Sequence, residues 1–92
     1  MPAIQEILHG YHTLIDVRTT EEYNLKHIDG SINIPILEIP KRLQDIKQMT
    51  LPIVVYCLSG GRSAAATNFL RHSGISEVHD GGGIYDVLAM MA

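Results

Sequence analysis

A β-branched apolar run stops at a cysteine and a glycine-bearing turn, and a helix-forming segment follows at once. Leu51-Pro52-Ile53-Val54-Val55-Tyr56-Cys57 leads into Leu58-Ser59-Gly60-Gly61-Arg62-Ser63, then into Ala64-Ala65-Ala66-Thr67-Asn68-Phe69-Leu70. Val54 and Val55 belong to a run of strand length. The segment from Ala64 to Leu70 is rich in good helix formers. Cys57 is therefore expected to open a strand-to-helix loop with a helix N-terminus close behind it. That position gathers unpaired backbone N–H groups and the positive end of the helix dipole. A thiol placed there ionises readily and becomes a nucleophile.

The rest of the chain repeats the same alternation. Ile4, Ile7 and Leu8 have helical spacing, and Gly10 ends a short helix. Leu14-Ile15-Asp16-Val17 reads as a buried strand. Thr19-Thr20-Glu21-Glu22 has the form of a capping box, with Thr19 as cap and Glu22 reaching back. Asp29-Gly30 marks a turn, and Ile32-Asn33-Ile34 a short strand closed by Pro35. Pro40 is expected in the first turn of a helix carrying Leu43 and Ile46. Leu51 to Tyr56 is the central strand, and Arg62 to His72 the longest helix, terminated by Gly74. Glu77-Val78-His79 is a last short strand, Asp80-Gly81-Gly82-Gly83 a loop, and Ile84 to Met91 a final helix. The connections are too long for hairpins, so the strands are expected to run parallel in a sheet covered on both faces. Chemistry in such folds gathers at the carboxyl ends of the strands. Cys57 has such a place, as do Arg18 after Val17 and Asp80 after His79.

The chain has 92 residues, enough for one domain over residues 1–92 with one core. Hydrophobic content of 46% against 18% charged fits a folded globular protein. A net charge of −3 with scattered histidines carries no nucleic-acid footprint. No apolar stretch is long enough to cross a bilayer. Met1-Pro2-Ala3-Ile4-Gln5-Glu6 lacks a basic region followed by an apolar one, so no export signal is read and a cytoplasmic location is expected. The single cysteine excludes an internal disulfide, a CxxC redox pair and a multi-thiolate zinc site. His9 and His12 lack companion ligands, so neither a metal nor another cofactor is expected.

Gly60 and Gly61 accept backbone angles that a side chain forbids, and so let the N–H groups from Leu58 to Ser63 turn inward around the sulfur. A ring of N–H donors at a helix N-terminus is an anion cradle. Arg62 in the first helical turn is electrostatically unfavourable unless an anion offsets the field, and its guanidinium can grip an oxyanion with two parallel bonds. A lone cysteine at a strand end is also commonly a small buried hydrophobe. The loop behind Cys57 favours the nucleophile. Ser63 is expected to cap the helix or to donate into the loop, and Ser59 to bond the bound anion. The loop is expected to be partly exposed. The Asp80–Gly83 run is expected to pack beside it, because consecutive glycines let backbone approach another segment closely.

These segments resemble the rhodanese (thiosulfate sulfurtransferase) family, in particular its compact single-domain members. Leu14-Ile15-Asp16-Val17-Arg18, Glu22-Tyr23 and His27-Ile28-Asp29-Gly30-Ser31-Ile32-Asn33-Ile34-Pro35 are similar to the family's first signature. Val54 to Ala64 resembles its active-site strand and loop, and Asp80 to Asp86 its closing glycine loop. Lys26 departs from a usual glycine and Tyr85 from a common tryptophan, and the late start predicts loss of a short edge strand. The resemblance implies a three-layer α/β/α fold around a parallel sheet of about four or five short strands. It implies that Cys57 takes a sulfane sulfur from thiosulfate or a similar donor and passes it, through a persulfide, to cyanide or a thiol. Leu58, Ser59, Gly60, Gly61, Arg62 and Ser63 would bind the substrate, with Arg62 on the sulfonate. Asp16 would be structural, pairing with backbone or Arg18. The implied partners are small donors and acceptors or a sulfur-accepting protein, and a monomer suffices. Two other functions share these features. Cysteine phosphatases and arsenate reductases use a similar cradle, but with a longer loop than the four residues between Cys57 and Arg62. Rhodanese-like modules also serve as regulatory binding domains, usually without the cysteine.

Overall fold

The computed structural model describes residues 3–92. The reading of Met1 and Pro2 as free of an export signal lies outside the described residues. The order of elements is α1 (Ile4–His9), β1 (Thr13–Asp16), α2 (Thr20–Leu25), β2 (Ile32–Asn33), α3 (Leu43–Lys47), β3 (Ile53–Cys57), α4 (Gly61–His72), β4 (Val78–Gly83) and α5 (Ile84–Met91). Two 3₁₀ turns, Ile36–Glu38 and Pro40–Arg42, lie between β2 and α3. Among the described residues, the four strands are all parallel, in the order β2-β1-β3-β4. The expected parallel α/β architecture is therefore present. Among the described residues, no helix is long and apolar enough to cross a membrane.

The pleat of β3 sorts the core into two layers. Ile53, Val55 and Cys57 point to one face, where they meet Ile46, Ala66, Leu70 and Ile75. Val54 and Tyr56 point to the other, against Ile7, Leu8, Ile84 and Val87. Successive strand residues face opposite ways, so a strand between two helical layers must be apolar throughout. Every residue of β3 is buried. Helices α3 and α4 cover one face of the sheet, and α1 and α5 the other.

Local signals behave largely as their chemistry dictates. The Thr19 hydroxyl accepts from the Glu22 amide, and Glu22 reaches back to the Thr19 amide at 3.1 Å. Gly10 closes α1 with a bond to the Ile7 carbonyl. Gly74, at φ +100°, ends α4 in a conformation that a β-carbon would strain. Asp16 lies fully buried, and its carboxylate accepts from the Arg18 amide, Nε and Nη2. Arg18 Nη2 also donates to the Lys26 carbonyl at 2.6 Å. Two buried charges are tolerable only when paired and bonded this fully. Asp16 thus has the structural place expected of it.

Three expectations need correction. Cys57 ends β3 rather than opening the loop. Pro40 starts a 3₁₀ turn, and the helix proper begins only at Leu43. The Asp80–Gly83 run is not a loop but the second half of β4. Val55 pairs with Asp80 and Tyr56 with Gly82, so Gly81 is the extra residue of a bulge. Glycine is disfavoured in strands for lack of side-chain packing, and here there is no room for a side chain. A β-carbon on Gly81 would stand 2.9 Å from both Val54 Cγ1 and Val87 Cγ2. On Gly83 it would collide with the Leu58 carbonyl oxygen. Close packing between β3 and α5 overrides propensity.

Gly81→Ala is expected to lower stability by about 1–3 kcal/mol through overpacking. Urea unfolding should show an earlier midpoint at an unchanged slope.

Candidate active site

The carboxyl end of β3 aims the Cys57 side chain at the first turn of α4. Its residue is 1% exposed and belongs to the core layer under α4. The sulfur is therefore deeper than expected, although Leu58, Ser59 and Gly61 above it are exposed. The loop and the thiol have opposite exposures. Hydrocarbon closes the sulfur from below, and polar groups close it from above. The Gly60 amide donates to Sγ at 3.0 Å. Gly60 holds φ +109°, which turns that amide inward and makes the residue the N-cap of α4.

Ser63 is not the cap. It is the third residue of α4, fully buried, with Oγ at 3.4 Å from Cys57 Sγ. In the neutral state the thiol donates to Ser63 Oγ, and the hydroxyl donates to the Gly60 carbonyl at 3.0 Å. Ionisation of the sulfur lets the hydroxyl proton rotate onto it. The other expected role, donation into the loop, is the one its position serves. The Gly82 carbonyl stands at 3.4 Å from the same oxygen, so β4 does pack beside the loop.

Burial alone would push the Cys57 thiol up. The Ser63 hydroxyl and the amides of Ser63, Gly60 and Ser59 outweigh it and hold the thiol below its ordinary value. Hydrogen bonds to the charged form win over desolvation because several converge on one atom.

Arg62 is engaged within the chain. Nη1 donates to Glu22 Oε1 at 2.7 Å and Nη2 to Glu22 Oε2 at 3.1 Å. The anion needed to offset a cation in a first helical turn is thus supplied by Glu22, forty positions upstream. Bonding to Arg62, against some desolvation and with help from the Thr19 amide, pulls the Glu22 carboxyl down to about 2. Glu22 was legible in the sequence as a capping residue, but its second bond was not. The grip is end-on, so Nε–H and the outer edge of the guanidinium keep free donors. Arg62 lines a cleft of about 560 Å³ together with Val17, Ile36, Leu37 and Arg42. Asp80, expected near the site, instead pairs with Val55 inside the sheet and accepts from the Gly82 amide. His27 stacks on the Tyr23 ring at 3.8 Å and bonds to the Tyr23 carbonyl.

Residues 3–87 match the rhodanese-like domain family, and the chain belongs to it. It is 35% identical over 74 residues to thiosulfate sulfurtransferase PspE of Escherichia coli, spanning 79% of this chain and 71% of that protein. The chloroplastic thiosulfate sulfurtransferase 16 of Arabidopsis thaliana is 35% identical over 95 aligned positions, covering 91% of this chain and 79% of that one. Among solved structures, a rhodanese with anions from E. coli superposes with a TM-score of 0.75 at 34% identity, over 83% of this chain and 91% of that one. The two family departures noted above meet in space. Lys26 Nζ stands 4.9 Å from the centre of the Tyr85 ring, a cation–π contact.

Ser63→Ala removes the hydroxyl and leaves the amides. The thiol of that variant is expected to ionise at higher pH than the parent. The pH dependence of iodoacetamide alkylation should shift upward, and an unchanged profile would take Ser63 out of the sulfur's electrostatics.

Proposed function

We propose that the protein is a sulfurtransferase in which Cys57 carries the sulfur. The Cys57 thiolate attacks the outer sulfur of thiosulfate or a similar donor. The bond between that sulfur and the sulfonate breaks, sulfite departs with the electron pair, and a Cys57 persulfide remains. A thiol or cyanide then attacks the terminal sulfur and releases Cys57 as thiolate. This is covalent catalysis in two half-reactions, with no net oxidant required.

The observation that carries the reading is the amide and hydroxyl collar on a lone, acidified thiol. Such a collar steadies negative charge on sulfur in the free thiolate and on the terminal sulfur of the persulfide. The backbone of Leu58, Ser59, Gly60 and Gly61 and the Ser63 hydroxyl would hold that sulfur, while Arg62 would receive the sulfonate on its free edge. The relatives named above as thiosulfate sulfurtransferases support the same assignment. The collar closes tightly, with Gly60 N at 3.0 Å from Sγ, and only four residues span Cys57 to Arg62. A single sulfur suits that dimension better than a tetrahedral phosphate does.

Thiosulfate is expected to add one sulfur atom to the intact protein, and cyanide or dithiothreitol to remove it. Cys57→Ala should keep its fold and lose both the adduct and turnover. Intact-mass spectra of the parent without an adduct would overturn the proposal. Arg62→Ala should raise KM for thiosulfate on the order of tenfold, with a smaller effect on an uncharged sulfur donor. Equal losses with both donors would remove Arg62 from sulfonate binding.

A further inference from the structure

Glu22 does two jobs with one carboxylate. Its Oε1 accepts from the Thr19 amide at 3.1 Å, which closes the capping box of α2, and both oxygens accept from Arg62. The first job needs an acceptor and no charge, since glutamine fills the same place in a capping box. Only the second job uses the negative charge. The pair is partly exposed, with side-chain accessibilities of 35% for Arg62 and 28% for Glu22. An ion pair so placed contributes little to stability. Its field acts on the sulfur site instead.

Arg62 is the second residue of α4, one position before Ser63, whose Oγ stands 3.4 Å from Cys57 Sγ. Its bonds to Glu22 above all, and also the charge of Cys57, hold the guanidinium above its ordinary value. The thiolate and the ion pair therefore share one electrostatic neighbourhood. Arg18, the other cation acting on Arg62, is itself closed by Asp16 at 2.8 Å. The charges of Asp16, Arg18, Glu22 and Arg62 thus cancel, and without Glu22 they would leave one positive charge. An anion reaching the free edge of Arg62 gains the attraction of the guanidinium and meets the repulsion of Glu22. That repulsion grows with the charge of the incoming molecule and vanishes for a neutral one.

We propose that Glu22 sets the donor preference of the site: by tempering Arg62 it shifts selection away from doubly charged donors such as thiosulfate and toward donors of lower charge. Glu22 touches no reacting atom and acts through Arg62, so it is a positioning residue. The inference rests on the sulfurtransferase reading and goes further by naming the charge class of donor and the residue that selects it.

The test alkylates Cys57 with iodoacetate, an anion, and with iodoacetamide, its neutral counterpart, and takes the ratio of the two rates. Both reagents meet the same thiolate, so its ionisation cancels from the ratio. Glu22→Gln keeps an acceptor for the Thr19 amide. It is expected to raise the iodoacetate-to-iodoacetamide ratio by about threefold, the factor that one unit charge several ångströms away makes in a water-like dielectric. Tyr23→Phe removes the bond to the Ser31 carbonyl and so loosens α2 without changing charge. It is expected to leave the ratio where it was. In turnover, Glu22→Gln is expected to lower KM for thiosulfate relative to benzenethiosulfonate, a donor with one negative charge, by a similar factor. An unchanged alkylation ratio or KM ratio in Glu22→Gln, or an equal rise in Tyr23→Phe, would overturn the role of Glu22. Alkylation needs no sulfur transfer. A protein that shows the alkylation shift but takes up no sulfur would overturn the sulfurtransferase reading and leave charge selection at the thiol standing.

Discussion

The meeting of hydrocarbon and amide at one sulfur atom organises this molecule. The pleat of β3 sends Cys57 to the same side as Ile53 and Val55, into a layer built from α3 and α4. That burial on its own makes a thiolate costly. The end of the strand, however, coincides with the start of α4, whose first amides have no partners within the helix. Those amides turn onto the sulfur because Gly60 adopts a left-handed conformation. The thiol is thereby sheltered from water while the collar holds it below its ordinary value. Neither half of the arrangement would do this alone. An exposed thiol would lose its shelter, and a thiol buried without the collar would stay protonated.

Much of this was legible because it is local. The capping box at Thr19 and Glu22, the stops at Gly10 and Gly74, and the strand through Val54 and Val55 rest on interactions within a few residues. The cysteine loop belongs to the same class, since strand, turn and helix adjoin in the chain. Reading failed where a distant segment sets the outcome. Asp80–Gly83 looks like a loop by composition, yet Val54, Val87 and Leu58 leave it room only as a strand of bare backbone. Ser63 looks like a cap by type, yet Gly60 takes that place and Ser63 turns to the sulfur. The partner of Arg62 lies across the fold at Glu22, and no spacing rule connects the two.

Lys26, just past the end of α2, and Tyr85, near the start of α5, bring their side chains together. Arg18 holds the Lys26 main-chain carbonyl, a bond that does not depend on the side chain at this position.

Helix α2 buries none of its side chains. It is moored at points instead: Glu22 to Arg62 near its first turn, Tyr23 to the Ser31 carbonyl at 2.7 Å, and the Lys26 carbonyl to Arg18 beyond its last. Polar moorings differ from apolar packing in how they yield. They can let go one by one, without exposing core, so this segment can detach while both apolar layers stay shut. Its first mooring ends on the arginine at the rim of the sulfur site. A fluctuation that never reaches the core can therefore reach the chemistry.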